Sequence, residues 1–349
     1  MIDFRYHIVS LISVFLALAV GIALGAGPLK ETIGDTLTGQ VEGLRAEKES
    51  LRSELDRTGG ELAAADAFAS ASGERLLAGA LTDRRVALVL VDDVPEDEVA
   101  ALVERFTQAG AEISATVTVD AAWTDPAMAT YRRTLAGTVM SYLDQPPAAD
   151  AGADAELAEA LVSGLVGADS AAPDALSENA SSLLDVLAAG DRPLVSYAQD
   201  VTRPADAVVV VAGTPVEPAD GDATAAPTPV TFDAQLALAA AAQRLSEGAV
   251  VAGTGTDGDD LVAAVRGDDA LADSVTTVAD VATVSGQVVV PLALAAAIAD
   301  QPGHYGYGDG LQTLPPAVQL TPVDRTPVVP EADDAAAQSE VPDQAGGEG

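Results

Sequence analysis

The sequence predicts an N-terminal transmembrane helix, a coiled-coil helix, and then a three-layer α/β domain on a mostly parallel, doubly wound sheet. A disordered acidic tail ends the chain. Three patterns carry this reading. No Asp, Glu, Lys or Arg occurs between Tyr6 and Leu29. From Leu37, apolar residues recur at alternating spacings of four and three. From Arg84, Val- and Leu-rich runs alternate with amphipathic segments. The expected divisions are an anchor at 1–29, a coiled coil at 30–80, an extracytoplasmic α/β domain at 84–314 and a tail at 315–349.

A helix rises ~1.5 Å per residue, so about 20 apolar residues cross a ~30 Å hydrocarbon core. Residues 7–28 meet that requirement. A cleaved signal peptide has a basic start and a shorter apolar region. Here Arg5 is offset by Asp3, and Pro28 follows the small residues Gly25 and Gly27. A buried soluble helix is the other alternative, and the segment has no polar face to set against solvent. Arg5 and the free N-terminus favour a cytoplasmic N-terminus, although Lys30 and Arg45 blunt the bias. The expected location is the cytoplasmic membrane, with a single pass and the bulk of the chain outside.

Taking Val41 as heptad position a places Leu37, Leu44 and Leu51 at d, and Leu55 and Leu62 at a. Lys48 is a polar a residue, which can fix register and oligomer state. In a parallel dimer Glu47 at g faces Arg52 at e of the partner, with opposite charges. A parallel homodimer is therefore expected. An amphipathic helix packed on its own domain is the competing reading. Gly59 and Gly60 weaken the helix, each by ~1 kcal/mol against Ala. Periodicity resumes through Leu62, Phe68, Leu76 and Leu77.

The α/β domain opens with a strand at Val86–Val91, a helix at Glu96–Ala109 behind Pro95, and a strand at Glu112–Val119. Helical sequence follows at Trp123–Leu143, Ala155–Val166 and Ser181–Ala189. Strands are expected at Leu194–Tyr197 and Ala207–Val211, then a loop at 214–230. A helix at Phe232–Ser246, a strand at Ala249–Ala252, a helix at Asp259–Val265, a strand at Val275–Val278 and a helix at Val284–Ile298 complete the pattern. Alternating strands and helices build parallel sheets covered on both faces. Beyond Leu314 the Pro-rich acidic sequence cannot bury enough apolar surface to order itself.

Composition excludes several functions. The 17 basic residues face 54 acidic ones, for a net charge of −37. Such a surface repels nucleic acid, whose binding needs Lys and Arg at phosphates. With no Cys there are no disulfides, thiolate metal sites or Cys nucleophiles. Cu(I) prefers thiolate and thioether, and Cu(II) accepts imidazole. The soft ligands are three Met (Met1, Met128, Met140) and two His (His7, His304), without clustering. Only a weak copper contact through scattered carboxylates is expected. Gly253-Thr-Gly255-Thr-Asp-Gly258 spells a dinucleotide fingerprint between a strand and a helix. Asp257, Asp259 and Asp260 would repel a diphosphate there, so a capped turn is the expectation. No G-x-S-x-G elbow occurs, and paired carboxylates such as Asp92-Asp93 are common in so acidic a chain. The expectation is no enzyme and no cofactor.

One segment stands apart: Gly303-His304-Tyr305-Gly306-Tyr307-Gly308-Asp309-Gly310. It reads either as a closing loop packed on the sheet or as a recognition loop presenting His304, Tyr305, Gly306, Tyr307 and Gly308. Together with the opening MIDFRYHIVSLISVFLALAVGIALG, it resembles the actinobacterial MctB family over roughly residues 1–315. That resemblance implies an envelope location and a role in copper homeostasis or transport. It extends to corynebacterial SteB-like relatives, which implies a cell-wall or septal partner reached through the coiled coil. The resemblance brings no catalytic residues. The family's outer-membrane label fits poorly, because a barrel needs about eight or more closed strands. About six, interleaved with helices, are legible here.

Overall fold

A computed structural model describes residues 4–26, 28–148, 150–213, 232–255 and 260–327, with backbone alone for Ala26 and residues 28–38. The chain divides into two compact units, Met1–Ala67 and Phe68–Gly349.

The first unit begins with α1 (Phe4–Ala26). Its Phe4–Gly25 stretch is long and apolar enough to cross a membrane, and none of it is buried within the protein. α2 (Pro28–Leu77) is 50 residues long. Pro28 opens it, where a missing N–H costs nothing. Gly59 and Gly60 do not interrupt it. The Arg57–Glu61 ion pair at 2.8 Å spans them, and the Thr58 hydroxyl donates to the Glu54 carbonyl in the turn before.

The second unit takes in the last turns of α2 and a seven-stranded sheet. Its strands are β1 (Arg85–Val91), β2 (Glu112–Val119), β3 (Val195–Tyr197), β4 (Ala207–Ala212), β5 (Ala249–Gly253), β6 (Thr276–Val278) and β7 (His304–Tyr305). The order is β3-β2-β1-β4-β5-β6-β7, parallel except for β3. The helices are α3 (Glu96–Gln108), α4 (Ala129–Val139), α5 (Ala153–Val166), α6 (Glu178–Ala188), α7 (Asp233–Leu245), α8 (Leu261–Gly267) and α9 (Val284–Ile298). β1 and β4 are buried at every position, as central strands covered on both faces should be. Ala87, Val89 and Val91 face α4 to α8. Val86, Leu88 and Leu90 face α3, α9 and the end of α2. This is the three-layer α/β domain read from the sequence.

The crossovers are not all alike. β1–α3–β2 steps toward one edge over the α9 face. β4–α7–β5 and β5–α8–β6 step toward the other edge over the opposite face, so these three share one hand. β6–α9–β7 steps the same way as the last two but crosses the α3 face, which gives it the reverse hand. α9 is apolar around its whole circumference, and this path buries it between the sheet, α3 and α2.

Three expectations need correction. The helix expected at Trp123–Leu143 is shorter. Two 3-10 turns at Ala121–Trp123 and Pro126–Met128 precede α4, and a third, Met140–Tyr142, follows. Pro126 sits at a turn start, and the Asp125 carboxylate accepts from the Ala127 N–H at 2.8 Å. The expected six strands become seven, because β7 pairs with β6 through Thr277↔His304. Residues 315–327, expected in a disordered tail, instead form a strap along the domain. Val318 and Leu320 pack on the core, and the buried Arg84 donates to the Thr321 carbonyl at 3.0 Å. Arg325 donates to Asp206 Oδ2 at 2.6 Å and to the Asp83 carbonyl at 3.0 Å. The expected loop at 214–230 and the tail beyond Pro327 lie outside the described residues.

Candidate functional site

Doubly wound sheets bind ligands where the strand order reverses, outside the carboxyl ends of the strands. Here that point lies between β1 and β4. The Gly213 N–H donates to the Val91 carbonyl at 2.9 Å, and a Cβ on Gly213 would collide with the Asp93 carbonyl. Backbone thus meets backbone where a ligand crevice would open. Asp92, next to it, holds φ 61°, and burial pushes its carboxyl above its usual range. Burial also raises Asp120, against a lowering hydrogen bond from Ser196. Among the described residues, no group of three or more His, Cys, Asp or Glu could hold a metal ion.

The G-x-G-x-x-G segment is described at Gly253, Thr254 and Gly255, while 256–259 lie outside. The Asp260 carboxylate caps α8, accepting from the Val262 N–H at 2.7 Å and the Gly255 N–H at 3.3 Å. A side chain carboxylate thus occupies the helix start that a diphosphate would need.

The Gly/Tyr segment is two things at once. His304 and Tyr305 form the edge strand β7, and Tyr305 is 1 % exposed. The His304 Nε2–H donates to the Ala272 carbonyl at 2.9 Å, which leaves Nδ1 to accept from the Thr277 hydroxyl at 2.8 Å. Burial lowers the His304 pKa. Both ring nitrogens are engaged, so His304 serves the sheet rather than a ligand. Gly306 (φ 144°) and Gly308 (φ 149°) then turn the chain. The Tyr307 N–H donates to Asp280 Oδ2 at 3.1 Å, while its ring is 57 % exposed. Of the five residues expected in a recognition loop, Tyr307 is the large side chain on the surface.

The heptad residues lie on α2. Val41, Leu44, Leu51, Leu55 and Leu62 are exposed, from 43 % at Val41 to 72 % at Leu55. Glu47, Lys48 and Arg52 are exposed beside them. The Leu37 side chain lies outside the described residues. Met128 and Met140 are half-buried against the α4 face of the core. Sequence reasoning missed Gly73 and the arginines that hold the strap, Arg84 and Arg325. The one available signal was Gly73 in an otherwise helical run.

An open α/β sheet preceded by a long helix and by an apolar helix long enough for a membrane defines a class of α/β domain proteins with an N-terminal apolar helix. The chain matches the family described as "Copper transport outer membrane protein, MctB" over residues 1–316, and it belongs to that family. It is similar to the proteins named Copper transporter MctB of Mycobacterium tuberculosis and Mycobacterium bovis. Identity to each is 29 % over 327 residues, covering 90 % of this chain and 99 % of the relative. The described sheet is open, with β3 and β7 at its edges, not a closed barrel.

Proposed function

We propose that the chain is a single-pass, membrane-anchored envelope protein that serves copper homeostasis or transport without catalysing a reaction. Its N-terminus lies in the cytoplasm and its α/β domain outside. The observation that carries this reading is the extent of the family match, which takes in the apolar helix, α2 and the domain together. The copper role comes from the names of the relatives. The closed strand-order reversal and the capped α8 support a non-catalytic role. His304, with both ring nitrogens engaged, and the half-buried Met128 and Met140 favour weak copper contact through carboxylates over a tight soft-ligand site. A deletion strain should become copper-sensitive and recover with the full-length chain. Equilibrium dialysis of the purified protein against Cu(I) with a competing chelator should show no stoichiometric site tighter than nanomolar. A site that tight would make copper handling direct. Unchanged copper tolerance would remove the homeostasis role.

The exposed stripe of α2 favours a second reading, a parallel dimeric scaffold for septal cell-wall machinery. Apolar residues at a and d that stand exposed on a helix call for a partner helix. Full-length protein in detergent should sediment as a dimer, and Leu44→Asp with Leu51→Asp should make it monomeric. Septal defects in a strain carrying that double variant, with copper tolerance intact, would favour the scaffold. A monomeric parent protein would leave the stripe without this role.

A further inference from the structure

A groove of about 530 Å³, lined by side chains and by strap backbone, lies where α2 ends. Its walls are Leu76 and Gly79 on one side, Leu292 and Ala295 of α9 on another, and the strap from Leu314 to Leu320 on the third. Leu76 and Leu314 are each 53 % exposed. Large apolar side chains left open beside a groove, on so acidic a chain, mark a contact surface.

The domain uses a neighbouring face of the same helix. Gly73 packs on Val288, Ser70 accepts from Arg105 at 3.1 Å, and Leu77 is fully buried. At 3.6 residues per turn, Leu76 stands about 60° round the helix from Gly73 and about 100° from Leu77. It therefore points beside the domain, along the open groove.

Register identifies the occupant. Leu76 falls two heptads after Leu62, at the same a position as Val41, Lys48 and Leu55. The a and d residues between them are Ala65, Ala69 and Ser72. All three are small and uncharged, so two helices can approach there. In a parallel dimer like positions face each other, so the groove of one copy meets that of the other about a two-fold axis. Resting on the dimeric reading above, we propose that a second copy of this chain covers the groove, with Leu76 of one copy against Leu76 of the other. The seam then runs on to Leu76 and closes on the strap.

The chain has no Cys, so single cysteines report proximity without background. Leu44→Cys, Leu76→Cys and Glu74→Cys would each be placed in the full-length protein. Membranes would be treated with a short bismaleimide, with Trp123 fluorescence confirming the fold. Glu74 is an outward f position. Leu44→Cys and Leu76→Cys should both form cross-linked dimers, at least severalfold above Glu74→Cys. Cross-linking at Leu44→Cys with Leu76→Cys no better than Glu74→Cys would overturn this inference and leave the dimer standing. No dimer at Leu44→Cys would overturn the dimeric reading and this inference with it. A product at Leu76→Cys containing only a different protein would also overturn it.

Discussion

A Cβ on Gly73 would lie 2.6 Å from Cγ2 of Val288, so the last turns of α2 meet α9 at a contact only glycine permits. Ala is the better helix former by ~1 kcal/mol. Overpacking costs about 1–3 kcal/mol, and Val288 is branched and 5 % exposed, with little room to move. Gly73→Ala should therefore lower stability by about 1 kcal/mol despite its helix propensity. Trp123, the single tryptophan, is fully buried in the domain and reports urea unfolding directly. Adding Val288→Ala should make Gly73→Ala less harmful than it is alone. Additive losses in that cycle would mean the contact is not tight.

The strap should prove part of the fold. Arg325 is partly buried and bonds the Asp206 carboxylate, and hydrogen bonds to charged groups contribute about 1.5–3 kcal/mol. Arg325→Ala should cost about 1–2 kcal/mol in urea unfolding. It should also speed chymotrypsin cleavage after Leu320, which packs on the core. Unchanged cleavage would show that Val318 and Leu320 hold the strap without the arginine.

Much of the domain was legible because its signals are local. Val86–Val91 and Ala207–Val211 are apolar runs that only doubly covered strands need, and Glu112–Val119 and Val284–Ile298 have the bounds expected of them. β7 was not legible, since a two-residue His-Tyr strand among glycines carries no period. The strap failed for a related reason. Its Pro-rich, polar composition reads as solvated, and its order comes from Arg84 and Arg325 meeting Thr321, Asp83 and Asp206 across the chain. The Asp93–Gly213 contact is likewise a meeting of two backbones far apart in sequence. In the Gly/Tyr segment the sequence could not tell an inward His304 from an outward Tyr307.

The α8 turn should reject dinucleotides. Asp260 already satisfies the N–H groups of Val262 and Gly255, and its negative charge faces the place a diphosphate would take. Titration calorimetry with NAD and FAD should show no binding heat. Micromolar affinity for either would return an oxidoreductase to consideration.

Stability should respond to acid in two opposed ways. Burial lowers the pKa of His304 from 6.5, helped by Arg266 and opposed by the Ala272 hydrogen bond and Asp273. The unfolded chain then takes up a proton first as pH falls, so this contribution is present above about 6.5 and is lost below it. His304→Gln should flatten the decline in urea midpoint between about pH 7 and pH 5. Asp92 behaves conversely. Burial raises its pKa from 3.8, so the ionised form weakens the fold at neutral pH and protonation relieves it as pH falls. Asn tolerates the positive φ that Asp92 holds. Asp92→Asn should therefore raise the urea midpoint at pH 7, with the gain shrinking toward pH 4. Burial raises Glu98 too, with Asp97 adding to the effect, so Glu98→Gln should show the same trend. A midpoint at pH 7 unchanged by Asp92→Asn would mean that water reaches that carboxylate and that the β1 end is more open than its contact with Gly213 indicates.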